Sequence, residues 1–213
     1  MKTNDLIGLL ATDVAPVDSR TVTRRFGAAL PLGIVGALLI MSLFFGIRPD
    51  IRALMVSPVF WAKIAFPFCI ALAALASIVR LGRPGQRVGY GWLAIGLPFV
   101  VVMVVAAGVL WEVQPDERVS LLLGKTWKIC AFNILLLSVP TAVASFWALK
   151  SLAPTRLRLA GAVCGLLGSA MAAVVYSLHC PEMSPAFWSV WYTLGMLLPA
   201  AIGAWLGPRI LRW

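Results

Sequence analysis

Charged side chains are scarce in this chain. Only 12% of its 213 residues are Asp, Glu, Lys or Arg, whereas 61% are hydrophobic, and the mean hydropathy is +0.94. A soluble domain of this length carries roughly twice that charged fraction. Apolar runs of about 20 residues recur along the chain, and each is long enough to cross ~30 Å of hydrocarbon. The composition excludes an ordinary soluble domain and predicts a polytopic membrane protein.

The first 25 residues lack the features of a cleavable signal peptide. They are too polar, and no small-residue cleavage pattern precedes the first apolar run. We therefore expect the first apolar run to stay in the protein as a membrane span.

Six apolar runs predict an all-α fold, a polytopic membrane protein with six transmembrane helices. The predicted spans are 26–47, 58–79, 91–111, 127–149, 159–177 and 187–206. Residues 1–25 form a polar tail, and residues 26–213 form the six-helix membrane domain. The connections, of about eight to fifteen residues each, leave no room for an extramembrane domain.

The net charge of +10 is explained by membrane topology better than by direct nucleic-acid binding. Of the 18 Lys and Arg residues, 12 fall on the side that carries both termini and six on the other. Both termini are therefore expected in the cytoplasm. The connection between the fifth and sixth spans is then outside, in an oxidising compartment if the cell has a periplasm.

The polar tail contains one short apolar stripe. Leu6, Ile7, Leu9 and Leu10 share a face of a helix, and Asp5 lies favourably in its first turn. A helix of about nine residues is marginal in water alone, so it needs a surface to lie against. A lipid surface is one alternative, but such helices usually carry several cations. The acidic residues of the tail favour a groove on a partner protein with a basic rim.

The spans contain few polar side chains, and no acid or base pair lies near the bilayer centre. Lys63 is placed about one turn into the second span, where it is expected to snorkel outward. Asn133 lies in the fourth span and Glu112 at the end of the third. Ion-coupled transporters usually need intramembrane charges, so their scarcity counts against transport.

Prolines 67, 98, 140 and 199 interrupt four spans. Kinked packing is the favoured explanation, and a discontinuous substrate-binding helix is the alternative. That alternative belongs to a small transporter or membrane enzyme whose polar groups would be Asn133 and Ser138. The motifs at Gly161–Gly165 and Gly203–Gly207 allow close helix contact, and packing within the chain is favoured over dimerisation.

The four cysteines fall into two pairs. Cys69 and Cys164 lie in the middle of spans and are most simply small core residues. Cys130 and Cys180 lie at the same membrane face and could meet if their Cα atoms come within about 7 Å.

Three roles remain open for Cys130 and Cys180. The first is a structural disulfide. The second is a redox switch, in which Lys125 and Lys128 favour the Cys130 thiolate. The third is a metal site formed by Cys130, His179 and Cys180 with Glu182 in support. No CxxC or HxxxH spacing supports the metal site, and the sequence contains no quinone or haem motif.

The chain resembles the NrsF-like membrane anti-sigma factors, negative regulators of an extracytoplasmic-function sigma factor. The resemblance covers nearly the whole chain. It rests on TNDLIGLLA at 3–11, RPD at 48–50, LGKTWKIC at 123–130, LHCPEMSP at 178–185, WYTLG at 191–195 and GPRILRW at 207–213.

The resemblance implies a regulator in the bacterial inner membrane, without enzymatic activity or a cofactor, whose partners are the sigma factor and the lipid bilayer. Its sigma-binding segment would include Asp5, Leu6, Ile7, Leu9 and Leu10. Its extracytoplasmic cysteines, which respond to oxidants or heavy metals, would be Cys130 and Cys180.

Overall fold

Six membrane-spanning helices make up the computed structural model, which describes residues 3, 5, 7, 8, 21–83, 85–86, 88–152 and 154–212. The spans are Thr21–Phe44, Pro58–Leu81, Gly91–Glu112, Trp127–Lys150, Leu157–Tyr176 and Pro185–Ile210. We refer to them as the first to sixth spans. Each is long and apolar enough to cross a membrane, which confirms the predicted all-α architecture.

The spans begin and end close to the predicted positions, with the largest difference at the first span. That span begins at Thr21, five residues before the predicted start, because Arg24 and Arg25 continue the helix. Two short helices, Ile51–Leu54 and Pro115–Leu123, lie in the connections that follow the first and third spans. Hydropathy alone does not reveal them, since neither is a long apolar run.

The N-terminal tail is described at four positions only. Thr3, Asp5, Ile7 and Gly8 are helical and exposed. Leu6, Leu9 and Leu10, which complete the predicted apolar stripe, lie outside the described residues.

The fifth span is the centre of the bundle. About 78% of its most apolar stretch is buried inside the bundle, compared with 17% of the corresponding stretch of the third span. It packs against the sixth, fourth, second and first spans, whereas the third span packs mainly against the second and the start of the sixth. The core therefore forms around one helix that is itself rich in glycine and alanine.

The fifth and sixth spans meet backbone to backbone at the two glycine motifs. A Cβ atom placed on Gly161 would lie 2.1 Å from the Gly203 carbonyl oxygen, and one on Gly207 would lie 2.2 Å from the Leu157 oxygen. No side chain fits at these separations. This contact confirms that the motifs serve packing within the chain.

The prolines do not break the spans into half-helices. The second, third and fourth spans run as continuous α-helices through Pro67, Pro98 and Pro140. The sixth span changes locally to π-helical geometry at Trp188–Tyr192 before Pro199. The discontinuous-helix alternative therefore finds no support in the described spans.

Replacing Gly161 with alanine should destabilise the bundle, because its Cβ must push the backbone of the sixth span away. We expect a loss of about 1–3 kcal/mol in the free energy of unfolding, measured by denaturation in mixed micelles. Gly108→Ala is the matched control, since a Cβ at Gly108 meets nothing within 4 Å. Equal stability of the two variants would contradict the backbone contact described here.

Candidate functional site

The connection between the fifth and sixth spans, residues 177–184, folds inward rather than lying on the surface. After the fifth span ends, the main-chain N–H groups of His179 and Cys180 both donate to the Tyr176 carbonyl, at 3.0 and 2.9 Å. This tight turn leaves the Cys180 side chain fully buried. The connection therefore presents a cysteine to the interior of the bundle.

Cys130 meets Cys180 there. It lies in the first turn of the fourth span, where its N–H donates to the Thr126 carbonyl at 3.0 Å. Both thiols are free and have no exposed surface. The Cys130 side chain hydrogen-bonds the Cys180 sulfur. The structure thus brings together the two cysteines that the sequence placed only at a common membrane face.

The surroundings of Cys180 favour its ionised form. The hydrogen bond from Cys130 is the main cause, and the Lys63 ammonium, the Glu182 main chain and the Tyr192 hydroxyl add to it. Together they overcome the effect of burial and lower the pKa of Cys180 to about 6. A thiol in this state is largely thiolate at neutral pH, which is the form that reacts with oxidants.

Lys63 supplies the positive charge at the site. The prediction that this side chain snorkels outward is wrong, because it is fully buried. Its ammonium donates to the main-chain oxygens of Cys180 at 2.7 Å and Glu182 at 2.8 Å, and lies 5.8 Å from the Tyr192 ring centroid. These protein groups take the place of water as the partners of the ammonium.

The connection also bonds to the segment that directly follows the first span. Arg48 donates from its side chain to the Cys180 oxygen at 3.1 Å and from its main chain to the Leu178 oxygen at 3.3 Å. The Nδ1 atom of His179 lies 2.9 Å from the Gly46 carbonyl oxygen and must donate to it, since a carbonyl only accepts. These hydrogen bonds connect the main chain around Cys180 to the segment that follows the first span.

Glu182 fastens the other side of the connection. Its carboxylate accepts a hydrogen bond from the Lys125 main-chain N–H at 2.7 Å, and its own carbonyl accepts one from the Trp188 indole at 3.1 Å. Gly124 adopts a φ of 55°, and a Cβ there would lie 2.7 Å from the Glu182 carboxyl group. Glycine is required at this turn on both counts.

Comparison with known proteins identifies the family. A family model described as "Negative regulator of sigma F" (NrsF) matches residues 10–213. A protein from Azospira oryzae named "Probable anti-sigma-F factor NrsF" is 44% identical over the full length of both chains. "Anti-sigma-F factor NrsF" from Caulobacter vibrioides is 37% identical, also over the full length of both. The chain belongs to the NrsF family.

This NrsF-family chain is therefore a membrane protein that acts as a negative regulator of a sigma factor. The family resemblance inferred from the sequence is confirmed. No solved structure matches the chain, so its site has to be understood from its own geometry.

Several residues at the NrsF site escaped sequence reasoning. The sequence assigned the positive charge near the thiols to Lys125 and Lys128, but the ammonium that acts on both sulfurs is that of Lys63. Lys128 instead lies over the Trp127 ring, 5.5 Å from its centroid. The signal in the sequence was a lysine inside a membrane span, because charged residues in spans are usually functional.

Tyr176 and Tyr192 complete the polar lining around the thiols. Both are fully buried, their ring centroids lie 6.1 Å apart, and the Asn133 amide donates to the Tyr176 hydroxyl at 3.4 Å. The π-helical segment ends at Tyr192, and π geometry often occurs at functional sites. Because their partners are distant in the sequence, neither tyrosine stood out from its neighbours.

The predicted metal site is not assembled from three ligands. Across the described ranges, no group of three or more His, Cys, Asp or Glu side chains is arranged to hold a metal ion. The His179 ring is engaged with Gly46 and packs against Phe45 and Tyr176, at 5.5 and 5.7 Å between centroids. The histidine and Glu182 thus shape the connection.

Asn133 and Ser138, the polar groups of the transporter alternative, each have a hydrogen-bond partner within the bundle. Asn133 is bonded to Tyr176, and the Ser138 hydroxyl donates to the Leu135 carbonyl of its own helix at 2.7 Å. A cavity of about 470 Å³ beside the fourth and sixth spans includes Ser138 in its wall, and a second, of about 600 Å³, lies beside the second and third spans. Its walls are Pro, Val, Ala, Phe, Leu, Cys and Trp side chains, which offer a substrate little polar recognition.

Modification of Cys180 should follow the ionisation of this thiol. Labelling by methyl methanethiosulfonate should be about tenfold slower at pH 5 than at pH 7. The thiolate is present above the pKa of about 6 and is lost as the pH falls through it. Mass spectrometry of the Cys180 peptide measures the rate.

Cys130→Ala should move the midpoint of this pH profile upward, because it removes the hydrogen bond that contributes most to the shift. Cys164→Ser, at the buried cysteine in the middle of the fifth span, is the matched control. A midpoint near the ordinary cysteine value of about 8.5 in the unmodified protein would contradict the described environment.

Proposed function

We propose that this NrsF-family protein is an inner-membrane anti-sigma factor that responds to oxidants. It sequesters an extracytoplasmic-function sigma factor through its N-terminal segment, with both termini in the cytoplasm. It releases the sigma factor when Cys130 and Cys180 react on the periplasmic side. The observation that carries this function is the contact between the two buried thiols, whose reaction with each other needs no large movement of the helices.

The N-terminal segment supplies the contact with the sigma factor. Its described residues are helical, and the apolar side chain of Ile7, with 59% of its surface exposed, is available to a partner. A short amphipathic helix binds a partner by placing its apolar face in a groove. Leu6, Leu9 and Leu10 extend that face in the sequence.

Oxidation is favoured over metal capture as the signal. The two thiols are adjacent, one of them is activated, and no third metal-binding side chain joins them within the described ranges. A thiolate beside a thiol is the arrangement that yields a disulfide after attack on an oxidant.

The first span is the route from the thiols to the N-terminal segment. One end of it is bonded to the 177–184 connection through Gly46 and Arg48, and the other end begins at Thr21, next to the tail. A change in the connection therefore acts directly on the helix that carries the sigma-binding segment.

The energy required sets a limit on this switch. Changing a partner from about 99% bound to about 1% bound takes about 5.5 kcal/mol of differential affinity. A disulfide contributes about 2–4 kcal/mol. Rearranged contacts in the connection must supply the rest, or release is partial.

Charge in the apolar stripe should abolish sigma-factor binding. We expect that the full-length protein with Leu6→Glu and Leu10→Glu fails to co-purify with its sigma factor, because two carboxylates cannot enter an apolar groove. Gly8→Ala is the matched control, since Gly8 is exposed, meets nothing within 4 Å and lies on the opposite helix face. Retention of the partner by the double variant would refute the N-terminal assignment.

Loss of either thiol should block the response. Cys130→Ser and Cys180→Ser should each prevent induction of the sigma-dependent promoter by peroxide, with unchanged protein abundance in the membrane. Cys69→Ser and Cys164→Ser should respond normally, because neither is described beside another cysteine. Normal induction in Cys130→Ser or Cys180→Ser would exclude the paired-thiol sensor.

A further inference from the structure

Lys63 directs all of its hydrogen-bonding capacity at the 177–184 connection. Of its three N–H donors, one reaches the Cys180 carbonyl oxygen and a second the Glu182 oxygen, at 2.7 and 2.8 Å. The Cys180 side chain is its third partner. The second span is thus bonded to the connection through a single fully buried ammonium group.

A second cation approaches the same carbonyl group. The Arg48 guanidinium lies 3.1 Å from the Cys180 oxygen, and its partner carboxylate is that of Asp50. Two positive charges therefore converge on one main-chain oxygen. Asp50 balances the charge of Arg48, so the buried ammonium of Lys63 needs a negative charge of its own nearby.

That negative charge is on sulfur. Among the residues that the structure describes, no carboxylate forms an ion pair with Lys63, and the Glu182 carboxylate is bonded to the Lys125 N–H. The groups that face the ammonium are the sulfurs of Cys180 and Cys130, the Tyr192 ring and the more distant Arg48. The Cys180 thiolate is the anion that balances the site.

We propose, building on the oxidation proposed above, that Lys63 couples the state of the thiols to the conformation of the connection. The ammonium stays bound while the thiols are reduced and leaves the site when they form a disulfide. The carbonyl groups of Cys180 and Glu182 then lose their bonds to the second span, and the connection is freed on that side.

The charge balance of the reaction explains this release. A peroxide ROOH reacts with the Cys180 thiolate, the Cys130 thiol and one proton to give the disulfide, the alcohol ROH and water. The peroxide O–O bond breaks and the S–S bond forms, with two electrons passing from sulfur to oxygen. The thiolate charge beside Lys63 is lost, while Lys63 keeps its positive charge and Arg48 stays paired with Asp50. A buried ammonium left without its anion is strongly disfavoured.

Acetylation of Lys63 in the unmodified full-length protein tests this coupling. The protein is reconstituted in nanodiscs, treated with or without hydrogen peroxide, and exposed briefly to sulfo-N-hydroxysuccinimide acetate. Peptide mass spectrometry then quantifies acetylation at Lys63 and the Cys130–Cys180 disulfide in the same samples. Lys150 is the internal control, since it is exposed and lies at the opposite end of the fourth span.

Lys63 should be protected in the reduced protein. Its acetylation should rise about tenfold on oxidation, and dithiothreitol should restore protection, as expected for a local opening. Lys150 should react equally in all samples. A disulfide that forms without a rise at Lys63 would overturn the coupling and leave the proposed sensor intact. Failure of the disulfide to form would overturn the proposed sensor itself, and the coupling with it.

Discussion

The burial of one ammonium group organises the functional end of this membrane protein. A lysine buried this fully, with no carboxylate partner among the described residues, has to be held by main-chain carbonyls and by sulfur, and those acceptors all belong to the 177–184 connection. That requirement explains why the connection folds inward, and why it is bonded on three sides, to the first span, the second span and the turn at Gly124. The same charge adds to the hydrogen bond from Cys130 in lowering the pKa of Cys180, so the interaction that holds the connection also contributes to its reactivity.

Most of the fold follows from hydrophobicity, since six apolar runs of sufficient length leave few other arrangements for the backbone. The site follows only in part. The two cysteines could be placed at one face from topology, but they are 50 residues apart, and their contact depends on how the fourth and fifth spans pack. Lys63 was assigned outward because a lysine near a span end usually reaches water. Its real partners are more than 100 residues away in the chain, and no local pattern reveals them.

In the function proposed for this NrsF-family protein, sensing and binding take place at opposite ends of the first span. The proposed sensor is buried near one end, and the proposed sigma-binding segment precedes the other. The first span packs chiefly against the fourth span, which carries Cys130. The first span therefore touches elements that both thiols contact. Coupling of this kind needs two arrangements of the same contacts with a small difference in free energy. An interface of hydrogen bonds to main-chain carbonyls meets that need better than a rigid apolar core.

The backbone contact between the fifth and sixth spans has a mechanical consequence for the connection that joins them. Helices that touch through glycine and carbonyl groups have no side chains between them to absorb a displacement, so the two spans behave as one rigid body. The 177–184 connection is then a short bridge with both ends anchored to the same body. A shortening at Cys180 cannot be relieved along the chain in either direction. It has to be relieved sideways, towards Lys63 of the second span and Arg48 in the segment that follows the first span.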